Sequence, residues 1–346
     1  MTTMDTRTGA RTAADVLGWS RDAVEPALRE AVDRLPGSMR LISGYHFGWW
    51  DERGDESGAD GGKALRPALV LLAAEAVGAD PVVAVPAAAA VELVHNFSLL
   101  HDDVMDGDVT RRHRPTAWSV FGTGAAILAG DAMVTLAYDV LAAGAHPEAR
   151  LGARTLSAAV LGLIVGQSED MEFESRADVV PAECVRMAEG KTGALLGASC
   201  TLGALAGGGD ATRVERLGEF GRALGLAFQH VDDLLGIWGD PARTGKPVYS
   251  DLQNRKKSLP VVAALNSDTD AGRELAVLYT QENQLTPAQL VRAAELVDRS
   301  GGRGWSQAQA DGLLSHALHQ LAVMNPAPRP GAELAELARF ATRRTH

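Results

Sequence analysis

One stretch of the chain places an aspartate-rich helix end directly before three arginines. Residues 91–116 read VELVHNFSLLHDDVMDGDVTRRHRPT, and the apolar residues at its start recur at helical spacing without a breaker. Asp102 and Asp106 are four residues apart, so they lie one turn apart on one face of the predicted helix. Two carboxylates stacked in this way repel each other unless a cation lies between them.

The ligand types in this stretch favour a site for a magnesium diphosphate. Oxygen ligands alone suit a hard ion such as Mg²⁺, which keeps several waters and shares phosphate oxygens with a substrate. Arg111, Arg112 and Arg114 follow at once and suit bidentate contact with phosphate. The alternative is a solvated helix end of mixed charge, which the apolar flanks on both sides disfavour.

A second stretch repeats this pattern. Residues 228–258 carry Asp232 and Asp233 on an apolar helix, then a loop with Lys246, then two further lysines. The two stretches predict two separate helices that could face each other across a cavity. Two blocks of this kind in one chain favour a functional site over chance.

Composition limits the fold and the class of protein. With 46% hydrophobic but only 5% aromatic residues in 346, and with alanine and leucine dominant, the chain favours an all-α protein. A net charge of −11 argues against a nucleic-acid partner. Two cysteines without metal-type spacing, no signal peptide and no run of 18 apolar residues predict a soluble, cytoplasmic protein without a transmembrane segment.

Helical periodicity predicts one all-α domain over residues 12–328, between a disordered N-terminus (1–11) and a C-terminal tail (329–346). A further helix begins near Lys63, and Gly239–Ser250 is predicted as a loop over the site. The other predicted helices outside the first stretch are Thr12–Leu35, Ser38–Trp50, Thr123–Ala143, Glu148–Phe173, Pro181–Leu205, Arg213–Trp238, Leu259–Leu265, Ala271–Glu282, Pro287–Arg299 and Trp305–Met324.

The two acidic blocks resemble the first and second aspartate-rich motifs of the trans-isoprenyl diphosphate synthases, the polyprenyl synthetase family, and most of all its bacterial geranylgeranyl diphosphate synthases. The similarity extends from about Gly62 to about Leu321. It implies the isoprenoid synthase fold, a single-domain bundle of about a dozen helices around a central active-site cavity. It also implies a homodimer that joins isopentenyl diphosphate head-to-tail to an allylic diphosphate, with three Mg²⁺ ions.

Residues 62–67 read GKALRP and match the family's GKxxRP motif, which binds the homoallylic diphosphate. Taken alone, Lys63 and Arg66 also suit an ordinary solvated first turn of a helix. His95 lies two turns before the first aspartate and, taken alone, suits a packed core position. In the family, a histidine at this spacing completes the same pocket with the second arginine of the RR pair, here Arg112.

Residues 166–170 read GQSED and match a family segment that lines the cavity, although a polar end to an apolar helix is the alternative. Lys191 lies in an apolar stretch and needs an anion. The resemblance implies that Arg111, Lys191 and Lys246 bind the allylic diphosphate and that Thr192 and Gln229 stabilise the allylic cation. The catalytic set so implied is Asp102, Asp103, Asp106, Lys191, Thr192, Gln229, Asp232 and Asp233, with Asp102, Asp106 and Asp232 as metal ligands.

The second motif departs from the family pattern. Family members often have DDxxD there, whereas this chain has DDLLG, with Gly236 in the third place. Asp240 follows at the loop entry and is not expected to replace it. The first aspartate of that motif is the direct ligand in the family, so activity is expected, with room for weakened metal binding or an altered reaction.

Two other classes of function are compatible with parts of this pattern. A class I terpene cyclase shares the fold and a first DDxxD, but it carries an N/DxxxSxxxE motif that is not found after Asp232. It also does not need the residues that bind a second diphosphate. A non-catalytic subunit of a heteromeric synthase is expected to lose aspartates or basic residues, and nearly all are present here.

The residues before the first aspartates bear on product length. Ser98 is four residues before Asp102 and nearly beneath it on the helix, whereas a helical wheel puts Phe97 well to the side. In several twenty-carbon synthases of the family, an aromatic residue at this place followed by a small one stops elongation. The resemblance therefore implies geranylgeranyl diphosphate as main product and farnesyl diphosphate as second, the alternative being that Phe97 only packs in the core.

Overall fold

The computed structural model describes residues 9–59, 62–144, 149–241, 248–281 and 283–343. Over these residues the chain forms sixteen α-helices and one short two-stranded hairpin, which confirms the predicted all-α class. The chain divides into two compact units. Unit 1 comprises Met1–Ala158, Ala198–Gly218 and Leu321–Glu336, and unit 2 comprises Ala159–Gly197, Glu219–Gln320 and Leu337–His346.

The α-helices are α1 (Ala13–Asp33), α2 (Gly37–Phe47), α3 (Leu65–Ala76), α4 (Val85–Met105), α5 (Ala117–Phe121), α6 (Thr123–Ala143), α7 (Ala149–Ser175), α8 (Pro181–Ala188), α9 (Ala194–Ala206), α10 (Ala211–Trp238), α11 (Ser250–Gln253), α12 (Leu259–Leu265), α13 (Asp270–Tyr279), α14 (Pro287–Arg299), α15 (Gly302–Met324) and α16 (Pro328–Thr342). A 3₁₀ turn (Pro81–Ala84) precedes α4, and a π-helical turn (Glu189–Gly193) joins α8 to α9. The hairpin strands are β1 (Thr110–Arg111) and β2 (Arg114–Pro115).

Side-chain caps explain why several helices begin where they do. Thr12 accepts a hydrogen bond from the backbone of Asp15, and the Asp15 carboxylate accepts one from the backbone of Thr12. The same reciprocal pair, a capping box, joins Thr286 to Gln289 at the start of α14. These caps satisfy backbone N–H groups that have no partner inside the helix, so they fix the first turn.

Helix α4 is the core element of unit 1. It packs against α1, α2, α3, α5 and α6, and residues 87–94 are buried without interruption. A helix that is apolar on all sides gains its stability from burial rather than from an amphipathic face. Burial ends in its last turns, where Asp102 is half-buried and Asp106 is exposed. Helix α4 therefore runs from the core of unit 1 to its surface, where the first aspartate motif lies.

The prediction of one continuous helix over Pro181–Leu205 is wrong in its middle. Helix α8 ends at Ala188, and the chain makes a π-helical turn before α9 begins. A π turn accommodates one extra residue and redirects the side chains on it, which is why such turns recur at functional sites. The turn contains Lys191 and Thr192, both of which the sequence assigns to the site.

The predicted C-terminal tail instead forms α16. The carboxylate of Glu333 is fully buried and accepts hydrogen bonds from Nε and Nη2 of Arg11, at 3.0 and 2.7 Å. Arg329 on α16 also pairs with Glu75 on α3. These ion pairs join Arg11, from the segment predicted to be disordered, and the first part of α16 to the rest of unit 1. Residues 1–8 lie outside the described residues, and the predicted domain boundaries stay predictions.

Three helical segments are long and apolar enough to cross a membrane, judged by length and composition: Pro81–Met105, Thr123–Ala143 and Ala149–Ser175. The sequence criterion of 18 consecutive apolar residues does not find them because isolated polar residues interrupt each one. In the first segment 67% of the apolar window is buried inside the protein, against 39% and 33% in the other two. Helices α6 and α7 therefore expose more apolar surface than α4 does.

Candidate active site

The carboxylates at the end of α4 differ in burial. Asp106 is the residue after the last helical position, and its backbone N–H donates to the carbonyl of Asp102 at 2.8 Å. Both residues keep solvent access, as a cation site requires, whereas Asp103 between them is 1% exposed. Asp102 and Asp106 thus lie one turn apart, as predicted, although Asp106 directly follows the helix, and Asp103 belongs to a different environment.

Asp103 binds Arg111 rather than solvent. Nε of Arg111 donates to Oδ1 of Asp103 at 2.6 Å, while Oδ2 has no hydrogen-bond partner among the described residues. Burial raises the pKa of Asp103 to about 6, although the positive charge of Arg111 acts to lower it. Asp103 therefore anchors and orients an arginine that the sequence assigns to a diphosphate.

The hairpin after α4 holds two residues in an unfavourable backbone conformation. Thr110 pairs with Pro115 and Arg111 with Arg114, which leaves Arg112 and His113 as a two-residue loop with φ of 51° and 62°. This is the geometry of a type I′ turn, which asparagine and glycine normally form. For other residues the left-handed conformation costs about 1 kcal/mol each, and such strain is concentrated at functional sites.

Arg114 corrects one sequence interpretation, because its guanidinium is bound within the protein rather than presented to phosphate. Its Nη1 donates to the carbonyl of Tyr45 at 3.1 Å and its Nη2 to that of Trp50 at 3.3 Å. The guanidinium also lies over the Tyr45 ring, 4.4 Å from its centroid. Arg114 thus braces the hairpin against the end of α2 and leaves Arg112 at the tip.

Three of the predicted binding residues, Arg66, His95 and Arg112, form what we call the basic pocket of unit 1. Burial lowers the pKa of Arg66 to about 10, against the effect of nearby Glu92, and its Nε is buried with no partner among the described residues. Burial also lowers the pKa of His95 well below its ordinary value, and the charges of Arg66 and Arg112 lower it further. His95 is therefore neutral at pH 7 and can donate a hydrogen bond without adding charge.

Lys63 lies at the exposed start of α3, next to Ala64, whose φ is 51°. The loop before it is fixed by Arg21, whose Nη2 donates to the carbonyl of Gly62 at 2.6 Å. The side chain of Ser20 also reaches the carbonyl of Ala64, at 3.3 Å. Two side chains of α1 thus hold the GKALRP segment in a strained entry to its helix.

His46 on α2 is a neighbour of the basic pocket that sequence reasoning missed. Burial lowers its pKa to about 3, and the charge of Arg112 adds to this, whereas a hydrogen bond with Asn96 acts in the opposite direction. Its Nε2 is buried with no partner among the described residues. The sequence carried no signal for it, because a single histidine in an apolar helix has no motif around it.

In unit 2 a chain of hydrogen bonds links three predicted residues. Thr192 donates to Oε1 of Gln229 at 2.6 Å, and Nε2 of Gln229 donates to Oδ1 of Asp233 at 2.7 Å. Oδ2 of Asp233 accepts from the backbone N–H of Leu259 at 2.8 Å. Burial raises the pKa of Asp233 to about 7, and the nearby Asp251 raises it further. Asp233 is therefore a buried anchor, while Asp232 beside it is exposed.

Lys191 already has an anion in the protein. Its Nζ lies 2.6 Å from Oδ2 of Asp170, and Nζ of Lys256 lies 3.9 Å from the same oxygen. Burial alone would raise the pKa of Asp170, but the two lysines outweigh it and lower the pKa. The GQSED aspartate therefore supplies the counter-ion that the sequence predicts for Lys191.

The backbone at Lys191 depends on a glycine. A Cβ atom at Gly166 on α7 would lie 2.4 Å from the backbone nitrogen of Lys191, so only glycine allows α7 to approach the π turn so closely. The amide of the next residue, Gln167, is buried, and neither its oxygen nor its nitrogen has a partner among the described residues. A buried amide of this kind is available to a polar ligand.

The predicted residues suit a cation that is bound partly by carboxylates of the protein and partly by phosphate oxygens of a substrate. No group of three or more His, Cys, Asp or Glu side chains suited to a metal occurs among the described residues. Asp102 and Asp106 offer a pair of carboxylates instead of a complete cage. Mg²⁺ is commonly bound in this way, by one or two carboxylates with water and substrate phosphate as the other ligands. Lys246 lies outside the described residues.

The two residues assigned to product length differ in their packing. The ring of Phe97 meets that of His101 edge to face, with centroids 4.9 Å apart, and Nε2 of His101 lies 2.9 Å from the carbonyl oxygen of Ile127 on α6. Phe97 therefore packs against His101, which contacts α6. Ser98 is buried, and its hydroxyl donates to the carbonyl of His95 at 2.8 Å.

Comparisons with known proteins define the class. The family model described as polyprenyl synthetase matches residues 49–297. The chain is 49% identical over 333 residues to a (2E,6E)-farnesyl diphosphate synthase of Mycobacterium tuberculosis (strain ATCC 25618 / H37Rv), covering 95% of this chain and 93% of that one. It is 48% identical over 305 residues to a geranylgeranyl diphosphate synthase of the same strain, covering 87% of each.

A crystal structure of a polyprenyl synthetase from Streptomyces coelicolor A3(2) matches with a TM-score of 0.91 and 45% identity, covering 95% of this chain and 99% of that one. The chain therefore belongs to the polyprenyl synthetase family and has the isoprenoid synthase fold. It is an enzyme, a prenyltransferase of the trans-prenyl diphosphate synthase class. The terpene cyclase and the non-catalytic subunit find no support in these relatives.

The strained hairpin tip gives a testable consequence. His113→Gly should raise the free energy of unfolding by about 0.5–1 kcal/mol, because glycine adopts positive φ without steric cost. Arg112→Gly should raise it by a similar amount and should also lose the guanidinium of the basic pocket. Denaturant unfolding of both variants measures the strain. A fall in stability for His113→Gly would show that its side chain contributes more than its backbone costs.

Proposed function

We propose that the protein catalyses the Mg²⁺-dependent, head-to-tail condensation of isopentenyl diphosphate with an allylic diphosphate. The observation that carries this proposal is the presence, within unit 1, of both a carboxylate pair and the basic pocket of Arg66, His95 and Arg112. Asp102 and Asp106 suit a diphosphate that arrives with metal. Arg66 and Arg112, beside a neutral His95, suit a diphosphate bound by cations and hydrogen bonds alone.

Residues of both aspartate motifs are assigned to the departure of the allylic diphosphate. Three Mg²⁺ ions bound with this diphosphate would supply positive charge to offset the charge that develops on it as the carbon–oxygen bond breaks. Asp102, Asp106 and Asp232 are the residues we assign to them. Arg111, Lys191 and Lys246 add positive charge to the same diphosphate, and Asp103 and Asp170 orient the first two of these.

The other residues hold the acceptor and the cation. Lys63, Arg66, His95 and Arg112 bind the diphosphate of isopentenyl diphosphate, so that its double bond attacks the allylic cation. The Thr192 hydroxyl donates to Gln229, which leaves oxygen lone pairs to face positive charge. This attack forms the new carbon–carbon bond and leaves a tertiary cation on the former isopentenyl unit. The released diphosphate takes a proton from the carbon next to that cation, which forms the new double bond, so the mechanism needs no histidine or glutamate base.

We propose geranylgeranyl diphosphate as the main product and farnesyl diphosphate as the second. Phe97 followed by Ser98 supports the first, because an aromatic side chain near the first aspartates can close the cavity to a longer tail. The similarity to a farnesyl diphosphate synthase, at 49% identity, supports the second. Burial of both residues, with Ser98 hydrogen-bonded into its own helix, supports a packed floor that a larger side chain would raise.

The metal assignment predicts a loss of activity without a loss of structure. Asp102→Ala and Asp232→Ala should each lower turnover at least 100-fold, since a group that stabilises developing charge contributes about 2.7–4 kcal/mol. Product formation with isopentenyl diphosphate and each allylic starter measures this, over a range of Mg²⁺ concentrations, with circular dichroism for the fold. Full activity in either folded variant would contradict the assignment.

The two diphosphate pockets should separate in kinetics. Lys63→Ala and Arg112→Ala should chiefly weaken isopentenyl diphosphate, whereas Arg111→Ala and Lys191→Ala should chiefly weaken the allylic substrate. A charge-assisted contact contributes about 1.5–3 kcal/mol, so the apparent affinity should fall at least about tenfold. Steady-state kinetics with one substrate varied at a time is the measurement. Equal effects on both substrates in all four variants would rule out two pockets.

A homodimer in the cytoplasm is also our proposal. The exposed apolar residues of α6 and α7, among them Leu128, Leu161 and Val165, support burial against a second copy. Light scattering at micromolar concentration should give twice the chain mass of 36.3 kDa. A mass of one chain would contradict the dimer.

Product length should respond to the floor residues. Phe97→Ala should lengthen the products by opening space near the first aspartates, and Ser98→Phe should shorten them by placing a ring one turn below Asp102. Chromatography of the dephosphorylated products measures the distribution. If both variants give the parent distribution, chain length is set by other residues.

A further inference from the structure

A cavity of about 370 Å³ lies within unit 2, on a face of α10 that is turned away from its aspartates. At about 100° per residue, Asp232 points roughly 110° away from the mean direction of the α10 residues that line the cavity. Those residues are Val231, Leu234, Leu235 and Trp238. The cavity is therefore separate from the second aspartate motif, although both occupy the last turns of the same helix.

The facing wall of the cavity belongs to α14 and α15, and α15 is firmly joined to α10. Nδ1 of His230 lies 2.8 Å from Oγ of Ser306, and both side chains are fully buried. The ring of His230 also meets that of Trp305, with centroids 5.4 Å apart. Buried contacts of this kind fix the separation of the two helices, so the cavity is preformed, as small-molecule sites usually are.

Apolar side chains form the α10 wall, and Arg303 on α15 supplies a positive charge. The guanidinium of this half-buried residue lies over the Trp238 ring, 4.8 Å from its centroid. It makes no hydrogen bond or ion pair among the described residues, not even with Asp298, an exposed residue that lines the same cavity. A guanidinium has five N–H donors, so Arg303 keeps all of them for a ligand.

We propose that this cavity binds a small amphipathic anion, with an apolar chain against Leu234 and Leu235 and a phosphate or carboxylate on Arg303. The volume lies within the range of about 300–1,000 Å³ of small-molecule sites, which are mainly apolar with a few polar groups. A neutral hydrocarbon would cover the guanidinium without replacing its hydrogen bonds to water, and a wholly polar ligand would leave the leucines uncovered. Prenyl phosphates and fatty acids both have the required chemistry.

Variants of the cavity wall separate its charge from its volume. Arg303→Gln removes the positive charge, and Asp298→Asn removes the negative one. Gly304→Phe fills the cavity, because Gly304 lines it and a Cβ atom there meets no other atom within 4 Å. Gly312→Phe is the matched control on the same helix, since the surroundings of Gly312 are equally open and it does not line the cavity. Arg186→Gln, at an exposed arginine of α8, is the control for charge.

The measurement is fluorine NMR of the full chain labelled with fluorotryptophan. Trp238→Phe identifies the resonance of Trp238 among those of the six tryptophans, so binding is observed at the cavity and without turnover. Geranyl monophosphate, decanoate and the neutral geraniol are titrated separately in the absence of divalent cations. At least one of the two anions should shift the Trp238 resonance to saturation, and geraniol should bind about tenfold more weakly than geranyl monophosphate.

Arg303→Gln should weaken binding of the anions about tenfold, because a charge-assisted contact is lost. Asp298→Asn should strengthen it about two- to threefold, since repulsion from an exposed charge is small. Gly304→Phe should abolish the shift, and both control variants should bind as the parent does. Tighter binding of geranyl monophosphate assigns the site to an isoprenoid phosphate, and tighter binding of decanoate assigns it to a fatty acid.

Three results would each overturn the site. They are a Trp238 resonance that neither anion moves, equal affinity in Arg303→Gln and the parent, and equal affinity for geraniol and geranyl monophosphate. Unchanged binding in Gly304→Phe would place the ligand elsewhere and would overturn it as well. Melting temperatures without ligand show that each variant folds, and Arg303→Gln, which changes a half-buried side chain, provides the test if Gly304→Phe does not.

Discussion

Burial of the second carboxylate in each aspartate pair is the constraint on which the arrangement of both aspartate motifs depends. Asp103 and Asp233 are held inside the protein, where burial raises their pKa values to about 6 and about 7. Ionised carboxylates in such surroundings need donors, and each residue obtains one from a side chain that we assign to substrate binding. Asp103 binds Arg111, and Asp233 binds Gln229. The other aspartate of each pair keeps solvent access, since Asp102 is half-buried and Asp232 is exposed.

The neutral state of His95 limits the positive charge that the basic pocket contains. Arg66 and Arg112 lie close enough to His95 to lower its pKa, and burial adds to that effect. A protonated histidine here would place a third positive charge in a half-buried space without a ligand. The neutral imidazole avoids that cost and still offers a hydrogen-bond donor. Glu92, hydrogen-bonded to Asn96 beneath the pocket, offsets part of the charge of Arg66.

The sequence predicts most of the helices because periodic burial and caps are local signals. The bounds predicted for α6, α12 and α14 agree with the structure, as does the spacing of Asp102 and Asp106. The π turn at Lys191 was not predictable, because one extra residue in a helix leaves no mark on composition or period. The hairpin was missed for a related reason. Arg112 and His113 adopt a left-handed turn, although neither is the glycine or asparagine that typically indicates such a turn.

Contacts across sequence account for the remaining differences. The segment predicted as a tail forms α16, on which Glu333 makes an ion pair with Arg11 from near the other end of the chain. No local sequence pattern contains that pair. The same holds for Gly236, where the sequence shows only that an aspartate of the family pattern is absent. In space, the carboxylate of Asp251 occupies the volume that a side chain at position 236 would fill. A motif of this kind is therefore defined by where its charges lie, and a substitution within it has meaning only together with the residue that occupies the vacated volume.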